Sequence, residues 1–523
     1  MKKKYNPYFL IIIIIIYVSI TFLFYIDRPL STMEGEEFRA LSASGNIFQL
    51  LFNRVNLSFI HQPINTIILK FLYYDHEISI VSLRIFYLIF ATLSIIYVFK
   101  IFTLFNNGYI PLVLTLLYSL NPLVLFYGTS IQSYIVLVLY FLGHLYYLLT
   151  YIDKKKKLYL ILSLIFLNFA FFTHMTSFFY GALLLLLFIV DRKFKYKEIY
   201  LLLLSFIPIA IYCLVSLIVF DQLSWFRNTA GELYFYFKSS DLPYLLAQRI
   251  RVAYSLPHWS IPVVIVFLAS LCALRSRYKY SKFILVVNLL FIIDTVFIFM
   301  VLYFNNSGYF TVRHSMILVP IFFINLAFLF NVINNNKLKI GCLLILVIAM
   351  TMTSISIYRK NKPVDYAALN DCLVTLVADK DSLFFIPKFT QLPFDYHVIN
   401  ACLNNIIYDS DSLHFTYFRN KKIYLLNIGD SCQANRNNEL QFVRKKIIKR
   451  MFHYHCRLNL ENIWIVIPKE RIFGIYHLNY DLIEHYLQET SNVNTGIYIK
   501  PVVKTDTFDI FQLSFDPFFC YNL

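Results

Sequence analysis

Three carboxylates crowd one short stretch, STMEGEEFRALSAS at Ser31–Ser44: Glu34, Glu36 and Glu37. They follow directly on an apolar segment, YFLIIIIIIYVSITFLF, that begins at Tyr8. A carboxylate partly withdrawn from water takes a raised pKa and can accept the proton of a hydroxyl. The same glutamates would also suit the first turn of an amphipathic interfacial helix, EEFRALSASGNIFQLLF, whose positive dipole end favours anions. Further along stand cations and rings that could meet an anionic substrate: His61, Arg84, His174, Arg313 and His314. A guanidinium pairs with two phosphate oxygens at once and keeps its charge when half buried. At a membrane interface both arginines would equally serve as headgroup anchors, and a lone histidine there as an ordinary hydrogen-bonding ring.

The elements that must position these residues follow from composition. Of 523 residues, 59% are hydrophobic and only 15% charged, which excludes an ordinary soluble domain and points to a polytopic α-helical membrane protein. The net charge of +17 does not indicate nucleic acid, because many of the basic residues lie in short clusters between apolar runs. The N-terminal MKKKYNPYFLIIIIII has no small-residue cleavage site and reads as a retained first helix. Apolar runs predict about eleven spans, at 8–26, 80–105, 109–127, 132–152, 158–174, 177–190, 199–220, 260–275, 283–304, 315–334 and 340–358. Lys2–Lys4, Lys154–Lys157, DRKFKYKE (Asp191–Glu198), RSRYKYSK (Arg275–Lys282) and Lys337 with Lys339 all fall on one side of that thread. The N-terminus is therefore expected in the cytoplasm. Segments 27–79, 221–259 and 305–314, and everything after Tyr358, are expected outside.

From Arg359 the composition changes. Strand-length apolar runs (SLFFI, KIYLLNI, NIWIVI) alternate with helical patterns such as DYAALNDCLVTLV, predicting an extracytoplasmic α/β domain over 359–523. It holds Cys372, Cys402, Cys432, Cys456 and Cys520, enough for one or two disulfides outside the cell and without metal-type Cys-x-x-Cys spacing. Asp294, in FIIDTVFIF, falls mid-span, where a carboxylate must pair, protonate or meet water; pairing with a neighbouring helix is the expectation.

The order of motifs is more specific than the topology. MEGEEF (Met33–Phe38), IHQP (Ile60–Pro63), SLRIFYLIF around Arg84, NPLVLFYGTSIQSY (Asn121–Tyr134), FFTHM around His174 and VRHSMILVP around Arg313 follow one another along the membrane part. This order resembles the polyprenyl-phosphate-sugar-dependent glycosyltransferases of the GT-C fold. Within them it is closest to the bacterial branch near the protein O-mannosyltransferases and aminoarabinose transferases. The chain departs from that pattern where an Asp becomes Gly35, where His-Pro-Pro becomes His61-Gln62-Pro63, and where a Glu and an Arg become Ser130 and Gln132.

The resemblance implies a GT-C-like transmembrane domain over 1–358, in a multi-pass protein of the bacterial cytoplasmic (inner) membrane. It implies transfer of a sugar from a polyprenyl-phosphate donor to an envelope glycan, lipid or protein acceptor, with inversion at the anomeric carbon. By register Glu36 is the base, with Glu34 or Glu37 able to replace the missing Asp. Arg84 and Arg313 would hold phosphate, and His61, His174, His314, Tyr127 and Tyr134 would contact substrate. No cofactor is implied with certainty; if a divalent cation takes part, Glu36 and Glu37 are its ligands. The outer loop 221–259, rich in aromatic and basic residues, would help to cover the donor. Two other functions stay open. The replaced positions suit a non-catalytic scaffold that binds a lipid-linked sugar. A flippase or transporter fits less well, since no inverted repeat with matching broken spans is visible.

Overall fold

Hydrocarbon-length apolar runs fold as helices because a chain in lipid must satisfy its own backbone hydrogen bonds. A computed structural model describes residues 7–28, 34, 63–72, 79–174, 177, 187, 196–218, 247, 250–258, 260–289, 291–293, 316–360, 364–379, 381–385, 413–418, 421–426, 462–469, 471–472, 475–476 and 497–515. Met1–Arg28, Ile60–Val219 and Lys238–Arg359 form one compact unit; Pro29–Phe59, Phe220–Phe237 and Lys360–Leu523 form a second.

In the first unit, α1 (Pro7–Tyr25), α2 (Pro63–Leu72) and α3 (Ile80–Phe105) lead into α4 (Ile110–Ser119) and α5 (Pro122–Tyr127). Next come α6 (Ser133–Lys154), α7 (Lys157–Phe171), α8 (Tyr196–Ser205), α9 (Ile207–Ile218), α10 (Ser260–Arg275), α11 (Leu318–Val332) and α12 (Asn336–Tyr358). Four of these, α1, α3, α6 and α12, are long and apolar enough to cross a membrane. Shorter apolar helices, a Ser281–Ile293 helix among them, accompany them. Isoleucines 11, 12 and 15 of α1 and Leu344, Ile345 and Ile348 of α12 are exposed, as a lipid-facing surface would be.

Two predicted spans are broken. The 109–127 run divides between α4 and α5, because Asn121 caps α5 by accepting a hydrogen bond from Leu123 N at 2.9 Å and Pro122 supplies no N–H to continue α4. The 199–220 run divides at Phe206, two residues before Pro208. Elsewhere Ser79 caps α3 and Asn335 caps α12, each through a side-chain oxygen. Helices α6 and α7 approach closely because Gly143 has no side chain: a Cβ there would lie 2.3 Å from the Phe166 ring. Most of 177–190, the second half of 283–304 and Asp294 lie outside the described residues.

Among its described residues the second unit carries α13 (Tyr366–Leu376) and eight strands: β1 (Ser382–Phe385), β2 (Leu413–Phe418), β3 (Lys421–Leu426), β4 (Ile463–Pro468), β5 (Arg471–Ile472), β6 (Ile475–Tyr476), β7 (Ile497–Lys504) and β8 (Phe508–Phe515). Six form one mixed sheet in the order β2-β3-β1-β4-β8-β7, with β1 parallel to both its neighbours and the other pairs antiparallel. Leu369 and Leu373 of α13 pack with Leu383, Trp464, Val466 and Ile510 in one core. Asp381 ties that core to its rim, accepting from Trp464 Nε1 at 2.7 Å, from Asn462 N at 3.0 Å and from Ala378 N at 2.8 Å. Cys372 is a free thiol, and the other four cysteines of this region lie outside the described residues.

Candidate functional site

One end of the first unit gathers several of the residues singled out by type and spacing. Arg84, in the first turns of α3, is almost completely buried. Its Nη1 donates to the carbonyl of Ile26 at 3.0 Å and to that of Arg28 at 2.5 Å, so it grips the chain where it leaves α1. Carbonyls past a helix end have no partner within the helix, which makes them ready acceptors for a buried cation. One turn further along α3, Tyr87 Oη donates to Asn65 Oδ1 of α2 at 2.6 Å. At its N-terminus α2 is tied again, with Ile64 N donating to the carbonyl of Phe172 at 3.1 Å. On α2, burial pushes the Lys70 ammonium pKa below its ordinary value.

From the α1 exit a continuous series of contacts runs inward. The guanidinium of Arg28 lies over the Phe126 ring, 4.1 Å from its centre, a cation–π arrangement. Phe126 meets Tyr127 edge-on at 5.1 Å, Tyr127 meets Tyr134 at 5.9 Å, and Tyr134 meets His174 at 5.0 Å, all between ring centres. Tyr127, Tyr134 and His174 therefore share one cluster. The short helix α5 makes this possible: the break before it turns Phe126 and Tyr127 toward different neighbours.

The turn after α5, residues 128–132, is buried at every position. Gly128 is required there, since a Cβ would come within 2.0 Å of the Tyr17 hydroxyl and 2.6 Å of the Val124 carbonyl. Tyr17 in turn donates to that carbonyl at 3.1 Å. Among the described residues, Ser130 Oγ, Gln132 Oε1 and Ser133 Oγ are buried with no hydrogen-bond partner. Buried polar atoms are nearly always satisfied, so three in four residues mark a place built to meet something polar. Asn121 pins the C-terminal part of segment 221–259: its Nδ2 donates to the carbonyl of Ala253 at 2.9 Å and to Ser255 Oγ at 3.1 Å. Ser255 sits at φ 53, a conformation an L-residue holds only under such restraint.

Glu34, in the second unit, is helical and fully buried. Glu36, Glu37, His61, Arg313 and His314 lie outside the described residues. So do both carboxylates that would hold a divalent cation; among the described residues no three His, Cys, Asp or Glu side chains gather as a metal site would need. Sequence reasoning passed over Arg28, Asn65, Tyr87 and Ser133. Arg28 carried a signal: it is a cation at the end of the first span opposite the lysine-rich N-terminus, where the distribution of basic residues disfavours one.

Residues 61–222 match the family model described as dolichyl-phosphate-mannose-protein mannosyltransferase. Among solved structures, the chain is similar to the crystal structure of ArnT from Cupriavidus metallidurans in the apo state. The TM-score is 0.52 at 10% sequence identity, over 95% of this chain and 97% of that one. No curated protein matches the chain. The likeness extends over nearly both lengths and is one of fold, the GT-C fold.

Proposed function

From a chain with the GT-C fold, which carries the mannosyltransferase pattern over residues 61–222, we propose a membrane glycosyltransferase. It moves a sugar from a polyprenyl-phosphate donor to an envelope glycan, lipid or protein acceptor on the outer face of the cytoplasmic membrane. The observation that carries this reading is the buried turn 128–133 with its unpartnered Ser130, Gln132 and Ser133, continuous in the chain with the Tyr127–Tyr134–His174 cluster. A sugar offers hydroxyls to such groups and an apolar ring face to the tyrosines.

In this reading the acceptor hydroxyl attacks the anomeric carbon from the face opposite the phosphate. The carbon–oxygen bond to phosphate breaks, and polyprenyl phosphate leaves with the electron pair. Glu36 takes the hydroxyl proton, with Glu34 and Glu37 as the alternative carboxylates. Arg313, His61 and His314 provide positive charge and donors for the departing phosphate; if a divalent cation takes part, Glu36 and Glu37 hold it. Arg84 contributes through the backbone it holds at Ile26 and Arg28. The eleven-span thread, with a cytoplasmic N-terminus and an extracytoplasmic domain over 359–523, belongs to the same proposal. The common end of Arg84, Tyr134 and His174, opposite the Lys279–Asp153 ion pair at the other end of α6, supports it.

Purified protein in detergent, given a panel of radiolabelled polyprenyl-phosphate sugars and an envelope extract, should transfer label from one donor to the extract. Donor binding without transfer from any member of the panel would instead favour the non-catalytic scaffold, which the neutral Ser130 and Gln132 motivate.

A further inference from the structure

Arg84 and Tyr134 stand at one end of α3 and α6. Toward the other end, where α7 begins, rings and cations share one half-buried surface. Phe166 of α7, lying over Gly143, reaches Tyr97 of α3 at 5.7 Å and Tyr147 of α6 at 5.5 Å between ring centres. Tyr147 in turn meets Tyr97 edge-on at 6.2 Å and stacks on Tyr159 of α7 at 6.4 Å. A lysine stands at each side of these rings. The Nζ of Lys100 lies 5.4 Å from the centre of Tyr97 and 5.5 Å from that of Tyr146, and the Nζ of Lys154 lies 5.3 Å from that of Tyr159. Both lysines are exposed, and among the described residues neither has a carboxylate partner. Asp153, beside Lys154 in the chain, is paired with Lys279 at 2.5 Å, and Glu198 accepts from the Tyr151 hydroxyl. Away from the lysines the surface turns apolar. Ile85, Ile89 and Leu93 of α3 are exposed at the four-residue spacing that continues to Tyr97. Ile161, Ile165 and Phe169 of α7 are exposed at the same spacing.

We propose that this surface binds an anionic glycerophospholipid of the surrounding membrane, with Lys100 and Lys154 holding the headgroup and the exposed rows of α3 and α7 meeting the acyl chains. The two parts of the surface match the two parts of such a lipid. Apolar rows suit hydrocarbon, which asks only for contact. Lysine stems lie along apolar surface and keep their ammonium groups at headgroup depth, where a net negative headgroup is attracted and a zwitterionic one far less. The rings fix those ammonium groups by cation–π contact, and tyrosine hydroxyls at that depth can donate to phosphate oxygens. An aromatic belt that merely marked the interface would scatter its rings around the protein. Here Tyr97, Tyr146, Tyr147, Tyr159 and Phe166 form one connected set on three successive helices, with a cation at each side. The surface shares no residue with the tyrosine–histidine cluster, so the inference stands apart from the glycosyltransferase reading.

The test is native mass spectrometry of full-length protein, delipidated in detergent and titrated with phosphatidylglycerol or with phosphatidylcholine of the same acyl chains. Wild type should retain one phosphatidylglycerol about tenfold more tightly than phosphatidylcholine. The double variant Lys100→Gln, Lys154→Gln, altered only at exposed positions, should bind the two lipids alike. Lys337→Gln with Lys339→Gln removes the same charge from the start of α12 and should leave the preference intact. A wild type that does not prefer phosphatidylglycerol overturns the assignment, and so does a preference that persists without Lys100 and Lys154. An equal loss in the Lys337, Lys339 variant overturns it too, because the attraction would then be one of overall charge. Displacement of the lipid by equimolar free glycerol phosphate does the same, since the ligand would then be a soluble anion.

Discussion

At the scale of single residues, Arg84 and Gly128 decide how well the outer end is held. Arg84 donates to two carbonyls past the end of α1, so replacing it with methionine keeps the apolar stem and removes the donors. Leaving buried carbonyls without that partner costs about 1–3 kcal/mol, so Arg84→Met should lower the unfolding midpoint in detergent and transfer together. A midpoint unchanged from wild type would mean that these two bonds are not what holds the α1 exit. Gly128→Ala places a methyl group against the Tyr17 hydroxyl and the Val124 carbonyl. Overpacking of this kind costs about 1–3 kcal/mol, and the same melting experiment reads it. Both positions were visible in the sequence, and neither role was. Arg84 was noticed as a cation for phosphate, because nothing in its neighbourhood shows that its nearest acceptors come from the far end of another helix. Gly128 was one small residue in a motif, and its constraint comes from Tyr17, far away in the chain.

At the scale of elements, the break at Asn121–Pro122 is the feature that organises the site. A continuous helix from 109 to 127 would give Phe126 and Tyr127 the directions of an ordinary span. Instead, α5 is a short separate helix that carries Phe126 and Tyr127 into the ring cluster. Asn121→Ala removes an N-cap worth about 1 kcal/mol and releases the ties to Ala253 and Ser255. It should therefore reduce transfer more than its loss of stability alone accounts for. Transfer that falls only in proportion to folded protein would show that Asn121 acts as a cap and nothing more. The Asn-Pro pair was legible as a motif, and capping chemistry was enough to place a break there, but apolar composition alone ran the span through it. Helix limits elsewhere followed hydropathy closely, as in α3 at 80–105, because lipid leaves a backbone few alternatives. The sheet order β2-β3-β1-β4-β8-β7 was beyond such reasoning: β1, β3 and β4 stand out by their apolar runs, but the pairing of β1 with β3 and β4 joins segments far apart in the chain and leaves no local trace.

At the scale of the whole molecule, the chain divides into a helical unit and a unit built on a mixed sheet. The proposed topology predicts opposite labelling of the two ends. Single cysteines at Lys155 and Arg277, in a background with the native cysteines removed, should react with a membrane-impermeant maleimide only after the membrane is opened. Cysteines at Ser79 and Lys500 should react in intact cells. The opposite pattern would invert the thread and remove the outer-face site. The central claim is chemical, and one measurement reaches it most directly: release of free polyprenyl phosphate, counted against sugar transferred, for wild type and Glu36→Gln. The account predicts one lipid phosphate released per sugar transferred by wild type, and loss of both in the variant with lipid binding retained. Equal turnover by the variant would contradict Glu36 as the base, and the absence of any release by wild type with every donor and acceptor supplied would contradict the enzyme itself.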